Sequence, residues 1–215
     1  MTLPVRVLLL AFVATGCGEG HAALTSDSAR MDSLASARQD SINRAQPGYI
    51  VDSILPMEEQ LRRFRANLTV PTVLEGGATS RDELVSSFVG SLESADTAAL
   101  LRLTISRAEF AYLVFPDSPL SAPPYAQAPD LVWMRHTTAS GTGLKRLLAR
   151  AGGASLGFRS WSCSALPEKQ GVNRVWGGCK VRFATGGATE QTLQLFASII
   201  ERQGRFKILS YANAF

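Results

Sequence analysis

The side chains whose type and spacing could do chemistry are few: Cys17, Cys163 and Cys179, the carboxylates of Glu109 and Asp130, the phenols of Tyr112 and Tyr125, and the imidazole of His136. A carboxyl group kept protonated by burial beside a phenol can move a proton and steady an enolate. Glu109 or Asp130, set with Tyr112, Tyr125 or His136 at the mouth of a cavity, is therefore the enzymatic reading. The plainer reading needs no chemistry. Ser106-Arg107-Ala108-Glu109 has the spacing of a capping box, Asp130 stands where a helix begins, and the aromatics suit a core. His136, beside Trp133 and Met134, reads as a packed or surface histidine before it reads as a general base. Gly141-Thr142-Gly143-Leu144-Lys145 lacks the spacing and preceding strand of a phosphate loop, and neither H-E-x-x-H nor G-x-S-x-G occurs. No cofactor or metal is implied, since His136 is the one histidine near the later cysteines and a metal site needs more ligands.

Cys163 and Cys179 lie symmetrically about Gly171, so a hairpin with its tip there sets them opposite each other. In that register Trp161 faces Val181, while Ser160, Ser162, Lys180 and Arg182 fall on a polar face. Two facing cysteines in an oxidising compartment form a disulfide, and the C-x-x-C spacing of redox catalysts is absent. That leaves Cys17 unpaired and in need of another explanation.

Residues 1–16 carry one positive charge at Arg6, an apolar run from Val7 to Ala14, and small residues before Cys17, the layout of an export signal too short to span a bilayer. Ala14-Thr15-Gly16-Cys17 resembles the lipobox of bacterial lipoproteins, although Ala14 stands where leucine is usual. The resemblance implies cleavage before Cys17, lipidation of its thiol, and a membrane anchor through acyl chains. Gly18, in place of aspartate, is similar to the sorting pattern that implies the outer membrane, facing the periplasm. A plain secretory signal with Cys17 as bystander is the alternative. Removing residues 1–16 deletes Arg6 alone, so the formal charge falls from +4 to +3. The remaining Lys and Arg are scattered, which argues against nucleic acid as a partner.

Four segments follow: a signal peptide at 1–16, a lipidated N-terminus and flexible linker at 17–47, an amphipathic docking helix at 48–70, and a single domain at 80–215. Residues 18–47 hold too few large aliphatics to fold alone and read as a solvated linker or frayed helix. Ile54, Met57, Leu61, Phe64 and Leu68 recur along one helical face behind a cap at Ser53, with Glu58–Arg62 and Glu59–Arg63 as i,i+4 pairs. Docking on the domain is the first reading of that helix and a partner-helix seam the second. In the domain, Ser80–Glu83 forms a first capping box ahead of Leu84, Phe88 and Leu92, and a short helix carries Leu100, Leu101 and Leu103. Helix is also expected at "FAYLVF" after the second box. Residues 116–130 read as a proline-rich loop, and another helix carries Leu144, Leu147, Leu148 and Ala151 to a stop at Gly152-Gly153. Period-two patterns near 155–164, 174–184, 189–202 and 205–213 then read as an antiparallel meander with a turn at Gln203-Gly204.

Helices followed by a meander imply an α+β fold, with several helices packed on a curved antiparallel sheet of about four strands. The order of elements over roughly residues 80–215 resembles the nuclear transport factor 2-like superfamily, a cone-like fold, with a cystatin-like sheet as the alternative. That resemblance implies no single function, because such folds serve isomerases, cyclases, dehydratases and noncatalytic binding modules alike. In the third strand Leu193, Leu195, Ala197 and Ile199 fall on one side and Phe196 and Ile200 on the other, and in the last strand Phe206 and Ile208 oppose Leu209 and Tyr211. Both faces are therefore apolar, and the second calls for the helix at 54–68, a second subunit in a homodimer, or an envelope protein partner. The expectation is a lipid-anchored envelope protein whose domain is a noncatalytic module for a partner or small ligand; the alternative is a cofactor-independent enzyme acting on a small hydrophobic carbonyl compound.

Overall fold

The computed structural model describes residues 20–46, 55–184 and 189–213, with side chains from Arg30 onward in the first stretch. Cys17, Ser53 and Ile54 lie outside the described residues. The chain divides into two compact units, Met1–Ile54 and Leu55–Phe215.

In the first unit the backbone forms one helix, α1, over Gly20–Arg44. Its described large aliphatics, Met31, Leu34 and Ile42, are exposed. Its described side chains, from Arg30 onward, form no buried face, and bonds such as Gln39 Nε2 to Asn43 Oδ1 (3.0 Å) run along its surface.

The second unit opens with α2, Met57–Phe64, which starts at Pro56, where the ring pre-sets the first turn. Glu59 takes both arginines, Arg62 at 2.6 Å and Arg63 at 2.7 Å, so the expected Glu58–Arg62 pair gives way to an i,i+3 contact. The Arg62 and Arg63 guanidiniums hold the Glu59 carboxyl down to about 2. On the opposite face Phe64 is buried edge-on to Phe110 at 5.9 Å, and Arg65 donates twice to the Ala111 carbonyl. The amphipathic helix is docked on its own domain.

Next come α3 (Arg81–Glu93), α4 (Thr97–Arg102), α5 (Arg107–Glu109) and α6 (Pro129–Ala151). Ser80 Oγ accepts from the Glu83 amide as a capping box requires, but the Glu83 carboxylate reaches one residue further back, to the Thr79 amide and hydroxyl. At Ser106 both halves of the box are made. "FAYLVF" is helical, in the wider π form over Phe110–Val114, and passes into a 3₁₀ turn at Phe115–Asp117. Gly143 inside α6 serves packing: a side chain there would collide with the Tyr211 carbonyl, so this helix lies directly on the backbone that follows the last strand.

Seven short strands occur among the described residues where four long ones are expected: β1 (Phe158–Ser162), β2 (Glu168–Gln170), β3 (Asn173–Trp176), β4 (Lys180–Phe183), β5 (Gln191–Leu193), β6 (Ser198–Arg202) and β7 (Arg205–Ser210). They form two antiparallel sheets, ordered β1-β4-β5 and β2-β3-β6-β7, which do not close into a barrel. The expected meander survives as a path of four arms. Each of the first three bends at a corner and passes from one sheet to the other, as β1 to β2, β3 to β4, and β5 to β6. The corner in the second arm is Gly177-Gly178, with Gly178 at φ +61°, and the third arm turns through residues 194–197. Outside the corners the register is as expected: Trp161 faces Val181 and Ser162 faces Lys180. Beyond the first corner Glu168 faces Val175, a slip of one residue, because residues 163–167 oppose only 176–179.

Two cores result. The first holds Phe88, Leu92, Leu100, Leu147, Val181 and Ile199 between the sheets and α3, α4 and α6. The second holds Phe64, Phe110, Val114, Phe115, Val175 and Ile200. The second face of the β2-β3-β6-β7 sheet is thus covered by α2 and residues 105–115 of the same chain, so that face gives no argument for a second subunit. Phe196 and Tyr211 correct their expected side. Both belong to the first core, because Phe196 sits in the bend before β6 and Tyr211 follows the end of β7.

Candidate functional site

Glu109 ends α5 almost fully buried, and its carboxylate is saturated. Oε1 accepts from the Glu75 amide at 2.6 Å, Oε2 accepts from the Ser106 amide at 2.6 Å, and the Lys207 ammonium sits 3.0 Å from each oxygen. Lys207 is itself 5% exposed and comes from the centre of β7. An acid bound by two amides and a lysine is fixed in place with every oxygen engaged, which suits a structural strut rather than proton transfer.

The other candidates are dispersed. Tyr112 lies under the Arg65 guanidinium, 4.6 Å from the ring centre, where it fixes the end of α2. Tyr125 is exposed in the proline-rich loop, and Asp130 is exposed in the first turn of α6. Tyr211, in the first core, donates its hydroxyl to the Leu100 carbonyl at 2.7 Å. No candidate acid is joined to a phenol. Cys163 and Cys179 form a disulfide, S–S 1.98 Å, at the first corner of the meander.

His136 has the most suggestive surroundings of the candidates. It stacks on Trp133, with ring centres 5.3 Å apart, and lies 6.1 Å from Phe110. Burial pushes its pKa down, so the imidazole is neutral at pH 7, and neither ring nitrogen has a hydrogen-bond partner among the described residues. It borders a cleft of about 280 Å³ between α6 and the connection from α4 to α5. One wall is the α6 face of Trp133, His136, Thr137, Ser140 and Leu144; the other is Leu101, Thr104, Ile105, Ser106 and Arg107. Arg107 stacks on Phe64 at 4.7 Å and has no carboxylate partner among the described residues. Across the ridge formed by Leu101, Thr104 and Ser106 lies a broader groove of about 710 Å³, lined by Ser87, Ser91 and Arg102, with Glu109 and Lys207 on its floor. Leu101 stands on this ridge 56% exposed.

Sequence reasoning reached Glu109 and His136 but missed Lys207, Arg107 and Leu101. A lysine within the apolar run "RFKILS" was the signal for Lys207. Arg107 and Leu101 gave none, because spacing alone cannot show that α4 and α6 leave a gap. Among the described residues no group of three His, Cys, Asp or Glu side chains could hold a metal ion, and no helix is long and apolar enough to cross a membrane. Compared with protein-family models, curated proteins and solved structures, the chain matches none.

Proposed function

We propose that this is an exported, lipid-anchored cell-envelope protein, held at the outer membrane facing the periplasm through Cys17, whose disulfide-stapled domain is a noncatalytic module for a small ligand or protein partner. The observation that carries the reading is the Cys163–Cys179 disulfide, a bond that persists in oxidising compartments and is rare in reducing ones. It accords with the export pattern of residues 1–16 and leaves Cys17 free for acylation. The closed ring of partners around Glu109 favours binding over catalysis, since the one buried candidate acid has no oxygen to spare for substrate. The clefts beside Leu101 offer the surface for it. For the fold we propose a relative of the nuclear transport factor 2-like cone, supported by helices that precede a bent four-arm meander; a cystatin-like sheet is the other candidate.

Intact mass of the protein from membranes of its native host, with and without reduction and after labelling with a fatty acid, tests the reading. Label on Cys17 and a gain of two hydrogens on reduction are expected. An unlabelled, fully reduced, soluble chain would overturn anchor and export together.

A further inference from the structure

We propose that the cleft between α6 and the α4–α5 connection binds a small monocarboxylate with an apolar body. The proposal rests on reading the domain as a binding module and names the ligand class. Size comes first. At about 280 Å³ the cleft lies just below the usual range of ligand cavities, roughly 300–1,000 Å³, so it suits a molecule of one ring or a short chain rather than a peptide or glycan. Its walls give the body of the ligand: Leu101, Ile105, Trp133 and Leu144 supply apolar surface on both sides.

Charge gives the other end. Arg107 lines the cleft as its one full cation, no carboxylate lines it, and Arg107 has no acidic partner elsewhere among the described residues. Stacking on Phe64 holds the guanidinium plane while leaving its edge N–H groups able to grip a carboxylate in bidentate fashion. A cationic ligand would meet Arg107 with nothing to offset it. A dianion such as a phosphate monoester would find one positive charge where it needs two, because His136 across the cleft is neutral. The neutral imidazole, with both nitrogens unpartnered, can donate to a carboxylate oxygen or to a hydroxyl on the ligand, and the Ser106 hydroxyl, which accepts from the Glu109 amide, keeps its own proton to donate within the same walls.

The test is an NMR titration of the full-length protein with phenylacetate, phenylacetamide and phenethylamine, matched probes that differ in charge. Phenylacetate is expected to saturate, shifting the His136 imidazole and Trp133 indole signals, and to bind at least about tenfold more tightly than the amide or the amine. Arg107→Gln should weaken phenylacetate by about tenfold, and Thr137→Phe, which fills the cleft without changing its charge, should abolish binding. Both substitutions sit at surface positions, and His136→Gln serves as a third variant if either disturbs the amide spectrum. Equal binding of the three probes, shifts confined to residues elsewhere, or undiminished binding by Thr137→Phe would overturn the proposal. Failure here with lipid found on Cys17 removes the ligand class alone. Carboxylate binding by a chain without lipid removes the anchor and leaves the cleft.

Discussion

Lys207 and Glu109 neutralise each other where neither reaches bulk water, and the carboxylate is further tied to the Glu75 and Ser106 amides. A buried pair of this kind contributes little compared with well-packed apolar groups, yet breaking it from one side strands a charge. Lys207→Met is therefore expected to lower the unfolding free energy by about 3–5 kcal/mol in urea titrations, and Glu109→Gln in the same chain should restore a large part of the loss. An unchanged midpoint for Lys207→Met alone would show that the pair is not enclosed. At this scale the sequence revealed one side of each contact. The S-x-x-E spacing identified Glu109 as a cap, and the capping bonds are both made. Its second role depends on a residue 98 positions away, and no local pattern encodes that pairing.

Among the elements, local signals served the helices well. Caps, prolines and three-four spacing mark α2, α3 and α6 because a helix satisfies its backbone within itself. Strand pairing was legible too, since Trp161 opposite Val181 follows from where polar and apolar residues alternate. The corners were not, because period two continues through a bend: Leu193, Leu195 and Ala197 alternate as though one strand ran on, whereas residues 194–197 turn the chain into the second sheet. Gly177-Gly178 was the one visible marker, a pair of residues free to take positive φ beside Cys179. The disulfide closes this first corner, spanning 16 residues. Replacing both cysteines by serine should cost about 3 kcal/mol of unfolding free energy through the loop it constrains. Equal stability of the oxidised protein and the double variant, measured by urea unfolding, would show that β1 and β4 hold their register without the bond.

The second unit, Leu55–Phe215, sets helices against two antiparallel sheets, and the candidate cleft opens between helices rather than in the packed interior. That arrangement explains why chemistry-bearing residues were legible one at a time but their grouping was not. His136 and Arg107 line one cleft only because α2, α5 and α6 meet there, through the ring contacts of Phe64 with Phe110 and of Phe110 with Trp133. β6 is an element on which both cores meet. It is hydrogen-bonded to β3 on one edge and to β7 on the other, with Ile199 turned to the first core and Ile200 to the second. Its amides can therefore trade hydrogen for deuterium only when the whole domain opens, whereas those of the exposed helix α1 should trade quickly. Native-state exchange is expected to return the global unfolding free energy at Ile199 and Ile200, and a lower value there would mean that the two cores come apart one at a time. Read this way, β6 is a clock that keeps time for the entire fold.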